Sequence, residues 1–234
     1  MRVWELGYGR APWYQAMLML APAFPERTFD ELAGLSIGER NTRLVALRVR
    51  MFGSAVEAVV ACPRCHVALE FGFDLLELCP PASDPEASHA VPFEVAVGEL
   101  CVRCRPATTA DVAALPNGET SGTALADRLV VAVVDGDAVR APMPVDDVVA
   151  TSIVAALEDA DPFSHVPMSF ACAACGHEWS SPYDIVTYLW SEITAQVHRI
   201  LEDVRLLAKT YGWAEGSILT MSGIRRRYYL DRAV

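Results

Sequence analysis

Several things are missing from this 234-residue chain. No stretch approaches the 18 or more consecutive apolar residues of a membrane span. Residues 14–20 come nearest, and Pro12, Pro22 and Pro25 confine them to a short helix. The opening Met-Arg-Val-Trp-Glu-Leu-Gly lacks the apolar core of a secretory signal. A cytoplasmic protein with reduced cysteines is therefore expected, a setting that suits metal better than disulfides. Common catalytic signatures are also missing. There is no Gly-x-Ser-x-Gly elbow and no phosphate-cradling glycine loop ending in Lys-Ser or Lys-Thr. Gly7-Tyr8-Gly9 lacks the third glycine and preceding strand of a dinucleotide loop, and His177-Glu178 has no second histidine four residues on. The expectation is a protein that is not an enzyme.

Excess positive charge is absent too. The formal charge is −11, and a polyanion such as DNA needs clustered Lys and Arg to displace its counterions. Basic residues gather locally at Arg40, Arg43, Arg48 and Arg50, and at Arg225-Arg226-Arg227. Both runs lie on helix-like segments, where a solvated helix face is expected.

Among what is present, two Cys-x-x-Cys knuckles stand out: Cys62-Pro-Arg-Cys65 and Cys172-Ala-Ala-Cys175. Leu69, Phe71 and Phe73 follow the first, while Phe170 and Trp179 flank the second. Four thiolates in two pairs complete a tetrahedral zinc shell and leave no position for water or substrate, so the metal would be structural. After the second cysteine the chain must turn back with positive φ. Gly176 supplies this in the second knuckle, and His66 stands in the matching position of the first. His66 and His177 are read as turn and strand residues, not ligands. In a polymer model, closing a loop of about 100 residues removes roughly 4.7 kcal/mol of unfolded-state entropy. Structural zinc is worth on the order of 10–16 kcal/mol in small peptides. Redox use of the knuckles would place a cysteine at a helix N-terminus, and here strand-like residues follow both.

A third pair, Cys101-Val-Arg-Cys104, lies in an alternating segment read as one strand near 93–105. Residues i and i+3 of a strand face opposite ways, so Cys101 and Cys104 are expected to pack rather than ligate. Cys79 is the unpaired seventh cysteine.

Along the chain, Ser36-Ile-Gly-Glu39 is a capping box opening a helix with Leu44, Leu47 and Met51 on its apolar stripe, ending at Gly53. Residues 80–88 are the linker candidate, and Asn117-Gly118 is a turn. A helix is expected over 108–115, either helix or strand over 123–134, and a helix with Pro144 in its first turn running to about Glu158. Glu158, Asp159 and Asp161 are read as a helix end, not a carboxylate metal site. Pro182 is expected to open the longest helix, to Tyr211, on the stripe Ile185, Leu189, Ile193, Val197, Ile200, Val204, Leu207. Short helices follow over 214–219 and 224–230. The expected class is α+β, mainly helical, with a split four-cysteine zinc ribbon of two β-hairpin knuckles and a small additional sheet. Its parts are one domain over 1–234, paired hairpins at 56–78 and 168–182, an inserted α/β segment at 89–165, and C-terminal helices over 183–234.

Taken together, these motifs have a counterpart. Leu35-Ser-Ile-Gly-Glu-Arg-Asn41, Arg43-Leu-Val-Ala-Leu-Arg48, Phe52-Gly53 and Cys62-Pro-Arg-Cys65 resemble the T4-type phage baseplate hub assembly family. So do Cys172-Ala-Ala-Cys175-Gly-His-Glu-Trp179, Pro182-Tyr-Asp-Ile185 and Leu189-Trp-Ser-Glu-Ile193. Tyr211-Gly-Trp213, Ile218-Leu219 and Arg225-Arg-Arg-Tyr-Tyr-Leu230 extend the likeness, which spans roughly residues 30–230. Arg105-Pro-Ala-Thr-Thr-Ala-Asp111 matches in pattern, while His66, Cys101 and Cys104 depart.

The resemblance implies an assembly chaperone that holds a baseplate hub or spike protein of a contractile tail or contractile injection system. The alternatives are a permanent hub subunit, a zinc-ribbon nucleic-acid binder and, last, a thiol oxidoreductase. One structural zinc on Cys62, Cys65, Cys172 and Cys175 is expected. Partner contact is assigned to Arg225, Arg226, Arg227 and Trp213, because aromatic and arginine side chains anchor interfaces.

Overall fold

The computed structural model describes residues 1–79, 91–98, 100–115, 122–135, 138–142 and 144–233. The linker at 80–88 and the Asn117-Gly118 turn lie outside the described residues. Helix outweighs strand, 51% to 20%, in a mixed structure with small sheets. In chain order come α1 (Arg2–Gly7), α2 (Pro12–Leu20), α3 (Phe29–Ala33), α4 (Ile37–Phe52), β1 (Ala55–Ala61), β2 (Ala68–Asp74) and α5 (Leu75–Leu78). There follow β3 (Phe93–Val97), β4 (Leu100–Cys104), α6 (Thr109–Ala113), α7 (Gly122–Leu129), β5 (Val130–Asp135), β6 (Ala138–Arg140) and α8 (Asp147–Ala160). Last are β7 (Pro167–Ala171), β8 (Glu178–Pro182), α9 (Ile185–Tyr211), α10 (Glu215–Leu219) and α11 (Gly223–Leu230). No helix among the described residues is long and apolar enough to cross a membrane.

The chain divides into two compact units, Arg10–Val186 and Met1–Gly9 with Thr187–Val234. In the larger, two antiparallel hairpins, β1–β2 and β7–β8, bracket a four-stranded antiparallel meander, β3-β4-β5-β6. That sheet and helices α7 and α8 share one core of Val95, Val102, Leu129, Val133, Ile153 and Leu157. Burying one such aliphatic side chain contributes about 1.5–3 kcal/mol, so this cluster is a principal source of the unit's stability.

Helix α4 is locked to this segment at its first turn. Ser36 and Glu39 form the expected capping box. Ile37 N–H donates to the Ala107 carbonyl at 2.9 Å, and Gly38 N–H to Asp161 Oδ2 at 2.9 Å. Asn41 Nδ2 donates to the Phe163 carbonyl at 2.9 Å. The Arg105–Asp111 motif is a second lock. Asp111 closes a capping box with Thr108 and takes a bidentate pair from Arg105 at 2.6 and 2.7 Å.

The structure corrects several local expectations. The single strand near 93–105 is two strands, β3 and β4, folded back where Gly98 takes φ +62°. The segment 123–134 is both alternatives in succession, α7 then β5. Pro144 precedes its helix, because Asp146 caps α8 by accepting the Val149 N–H at 2.9 Å. Pro182 does not open α9. It ends β8 opposite Pro167, and Asp184 takes the Val186 N–H at the helix start. The buried face of α4 also differs: Arg40, Leu44, Val45 and Arg48 lie inward, and Met51 is half exposed. Arg40 and Arg48 are therefore not a solvated face. Arg48 spends its charge on backbone, donating to the Gly53 and Ala55 carbonyls at 2.6 and 2.8 Å where α4 passes into β1.

In the smaller unit, the close approach of α1 and α9 requires Gly7: a Cβ there would collide with the Trp190 ring. Val204, Leu207 and Ile218 form its core under Tyr211, Trp213 and Tyr229. Gly212, at φ +66°, ends α9, and Ser222 caps α11 by accepting the Arg225 N–H.

Candidate metal centre

Both knuckles have one construction. Each lies in the turn of a hairpin, where hydrogen bonds from the first cysteine's backbone close a loop of six residues. Cys62 N–H donates to the Val67 carbonyl and His66 N–H returns to the Cys62 carbonyl, at 3.0 and 2.9 Å. Cys172 N–H donates to the His177 carbonyl and Gly176 N–H to the Cys172 carbonyl, at 2.9 and 2.8 Å. The turn needs a left-handed residue, and His66 at φ +60° does what Gly176 does at φ +69°. Strands, not helices, follow both knuckles.

Edge-on aromatic contacts join the hairpins. Phe71 meets Phe170 at 5.0 Å and Phe73 meets Tyr183 at 5.3 Å, while within the second hairpin Phe170 lies over Trp179 at 5.3 Å. Such pairs contribute about 0.5–1.5 kcal/mol each beyond area burial. They bring the knuckles, distant in sequence, to one point. The sulfurs of Cys62, Cys65, Cys172 and Cys175 all lie within 4.8 Å of one another. Cys62 Sγ is 3.7 Å from Cys175 Sγ, and Cys65 Sγ is 3.6 Å from Cys172 Sγ. A tetrahedron with 2.3 Å metal–sulfur bonds has edges of about 3.8 Å. The tetrad therefore fits one metal ion, and four sulfurs leave no coordination site for a reactant. Neither His66 nor His177 belongs to the tetrad; His177 stacks on Trp179 at 5.8 Å.

The chain matches no family model, no curated protein and no solved structure.

The thiol chemistry is consistent with a shared charge. Burial pushes the Cys62 thiol up, but the N–H groups of Cys65 and Arg64, with thiol hydrogen bonds, bring it down to about 7. The His177 N–H pulls Cys175 down, yet burial and the thiols of Cys65, Cys172 and Cys62 push it up to about 12. A cation at the centre would favour the thiolate form at the sulfurs that hold it.

The remaining cysteines stand apart. Cys104 is buried in the sheet core and Cys79 is also buried, and burial pushes each thiol up to about 11. Cys101, on the other face of β4, gives its thiol to Glu94 Oε2 at 3.4 Å.

The residues assigned to partner contact are placed as follows. Trp213 lies stacked on Tyr211 at 4.6 Å and edge-on to Tyr229 at 4.8 Å. Arg226 reaches Asp203 at 3.3 Å and Arg227 reaches Asp231 at 3.1 Å. Arg225 is exposed, 5.9 Å above the Tyr229 ring. What sequence reading missed was the inward face of α4. Its one signal was spacing: Arg40, Leu44 and Arg48 step by fours, so a buried Leu44 brings both arginines with it.

Proposed function

We propose that this chain is a non-enzymatic assembly factor for the baseplate hub or spike of a contractile tail or contractile injection system, with one structural zinc ion. The observation that carries the reading is the closed tetrad of Cys62, Cys65, Cys172 and Cys175, whose spacing suits a fully ligated ion. Such an ion pins two hairpins and activates no water. In this reading Cys62 and Cys65 from one hairpin and Cys172 and Cys175 from the other hold the zinc, which supplies a cross-link between them. The motifs of the resemblance support the assignment to baseplate assembly. Several of them, Ser36, Gly38, Glu39, Asn41 and Asp111 among them, cap a helix or tie neighbouring segments together. Arg225 and Arg227, exposed on α11 in an acidic chain, are assigned to the partner.

The test is quantitative mass spectrometry of mature contractile particles from the producing cells, alongside total lysate. Abundance in lysate with absence from particles is expected. Stoichiometric presence in particles would overturn the transient role and make the protein a hub subunit.

A further inference from the structure

Helix α11 turns large apolar side chains outward. Ile224 is 88% exposed and Tyr228 54%. Four positions apart on a helix, they share one face. The inward side belongs to Tyr229 and Leu230, which pack on the core of Val204, Leu207 and Ile218. A lone exposed apolar residue is ordinary. Here the cations around the pair set it apart.

Residues 222–234 carry four arginines and one aspartate, in a chain whose net charge is −11. Two of the arginines are answered within the unit: Arg226 reaches Asp203 at 3.3 Å and Arg227 reaches Asp231 at 3.1 Å. Arg225 and Arg232 form no ion pair among the described residues. Arg225 lies 5.9 Å over the Tyr229 ring. Arg232 lies 3.7 Å over the Tyr228 ring, and its Nη1 donates to the Tyr228 carbonyl at 2.9 Å. A guanidinium has five N–H donors, so Arg232 keeps most of them for another molecule. Tyr228 is in turn edge-on to Tyr229 at 5.6 Å, and Tyr229 to Trp213 at 4.8 Å. These contacts set the Tyr228 ring and the guanidinium above it before a partner arrives, which lowers the ordering cost of binding.

Two apolar anchors beside two unanswered guanidiniums match a segment in which carboxylates border apolar side chains. A purely ionic partner would leave Ile224 in water. A nucleic acid or an anionic lipid surface would be repelled by the rest of so acidic a chain, whereas a short segment need meet only α11. We propose that the outward face of α11 docks an acidic segment of a partner protein, its apolar side chains on Ile224 and Tyr228 and its carboxylates on Arg225 and Arg232. This surface rests on the protein-binding part of the assembly-factor role and not on the baseplate assignment.

The test is fluorescence anisotropy on the full, metal-loaded chain with a dye-labelled Glu-Asp-Leu-Glu-Asp-Leu-Phe-Asp-Glu peptide, and with a second peptide bearing serine at its three apolar positions. The apolar peptide is expected to bind at least about tenfold more tightly than the serine peptide. Ile224→Asp should weaken it by at least about tenfold while the unfolding transition stays that of the parent. Arg225→Gln with Arg232→Gln should weaken it similarly and flatten its salt dependence. Arg199→Gln with Arg205→Gln, exposed on α9, should leave it unchanged. Absence of binding at millimolar peptide, equal binding of the two peptides, or an equal loss in the α9 variant would overturn the proposal. Displacement of the peptide by an equal concentration of oligothymidylate, or by phosphatidylserine vesicles, would overturn an acidic protein segment as the occupant. The readout involves no contractile particle, so failure of the transient assembly role would leave this binding result standing.

Discussion

The carboxylate of Asp161 lies where a side chain at position 38 would begin. A Cβ on Gly38 would overlap Asp161 Oδ1, and the Gly38 N–H donates to Asp161 Oδ2 at 2.9 Å. The end of α8 is thus plugged into the start of α4, with a glycine as the socket. Burial raises the Asp161 carboxyl above its ordinary range against the pull of that N–H.

Gly38→Ala is therefore expected to destabilise the protein by about 2–3 kcal/mol, the scale of forced overpacking with a strained hydrogen bond. Gly216→Ala, in α10 with nothing near its Cβ position, is expected to be neutral or to stabilise by up to about 1 kcal/mol. Urea unfolding of both variants in the metal-loaded protein checks the contrast. Equal midpoints would contradict the socket.

Metal analysis of the purified chain should find one zinc per chain. Cys62→Ser and Cys172→Ser should each abolish stoichiometric binding, while Cys101→Ser and Cys104→Ser should preserve it. Because structural zinc contributes on the order of 10 kcal/mol, chelation should lower the unfolding temperature sharply. Thermal scans with and without a chelator measure this. Iron at one per chain would contradict the choice of metal.

Asp111 is almost fully buried and sits between Arg105 and Arg128. Burial pushes its carboxyl up, but the hydrogen bonds from Arg105 and Thr108 prevail and hold it near a pKa of about 2. A depressed folded value means the contribution is complete above the unfolded value of about 3.9. It is lost as pH falls through about 2, and linkage puts it at roughly 2–3 kcal/mol. Urea midpoints measured from pH 5 down to pH 2 should fall less steeply in Asp111→Asn than in the parent, the variant being already weaker at pH 5.

Arg48 and Arg50 make a matched pair on one helix. Arg48 is buried against the Gly53 and Ala55 carbonyls, and Arg50 is exposed. Arg48→Met should cost about 3 kcal/mol by leaving two carbonyls without donors. Arg50→Met should stay within about 0.5 kcal/mol. Chemical denaturation of the two variants decides; similar losses would mean the burial of Arg48 carries no energetic weight.

Much of the site was legible in the chain because its signals are short-range. A knuckle is closed by hydrogen bonds within six residues, so Cys62–Val67 and Cys172–His177 announce themselves. The capping box at Ser36 and the left-handed stop at Gly53 are local in the same way. The prolines were misread for a related reason. Pro144 and Pro182 fit a helix start locally, but Asp146 capping and the β7–β8 ladder had prior claim on those residues. The segment 93–105 alternates throughout, and periodicity alone does not show that Gly98 folds it back into a hairpin.

By itself, then, the sequence determined the two knuckles, the helix caps and the long stripe of α9, since each depends on residues a few positions apart. Only the tertiary structure decided that the four sulfurs meet, because Phe71 must meet Phe170, and Phe73 must meet Tyr183, across segments far apart in the chain. It also decided that Arg40 and Arg48 turn inward. A guanidinium is buried only where carbonyl or side-chain oxygens from other elements wait for it, and no local pattern records where those oxygens will be.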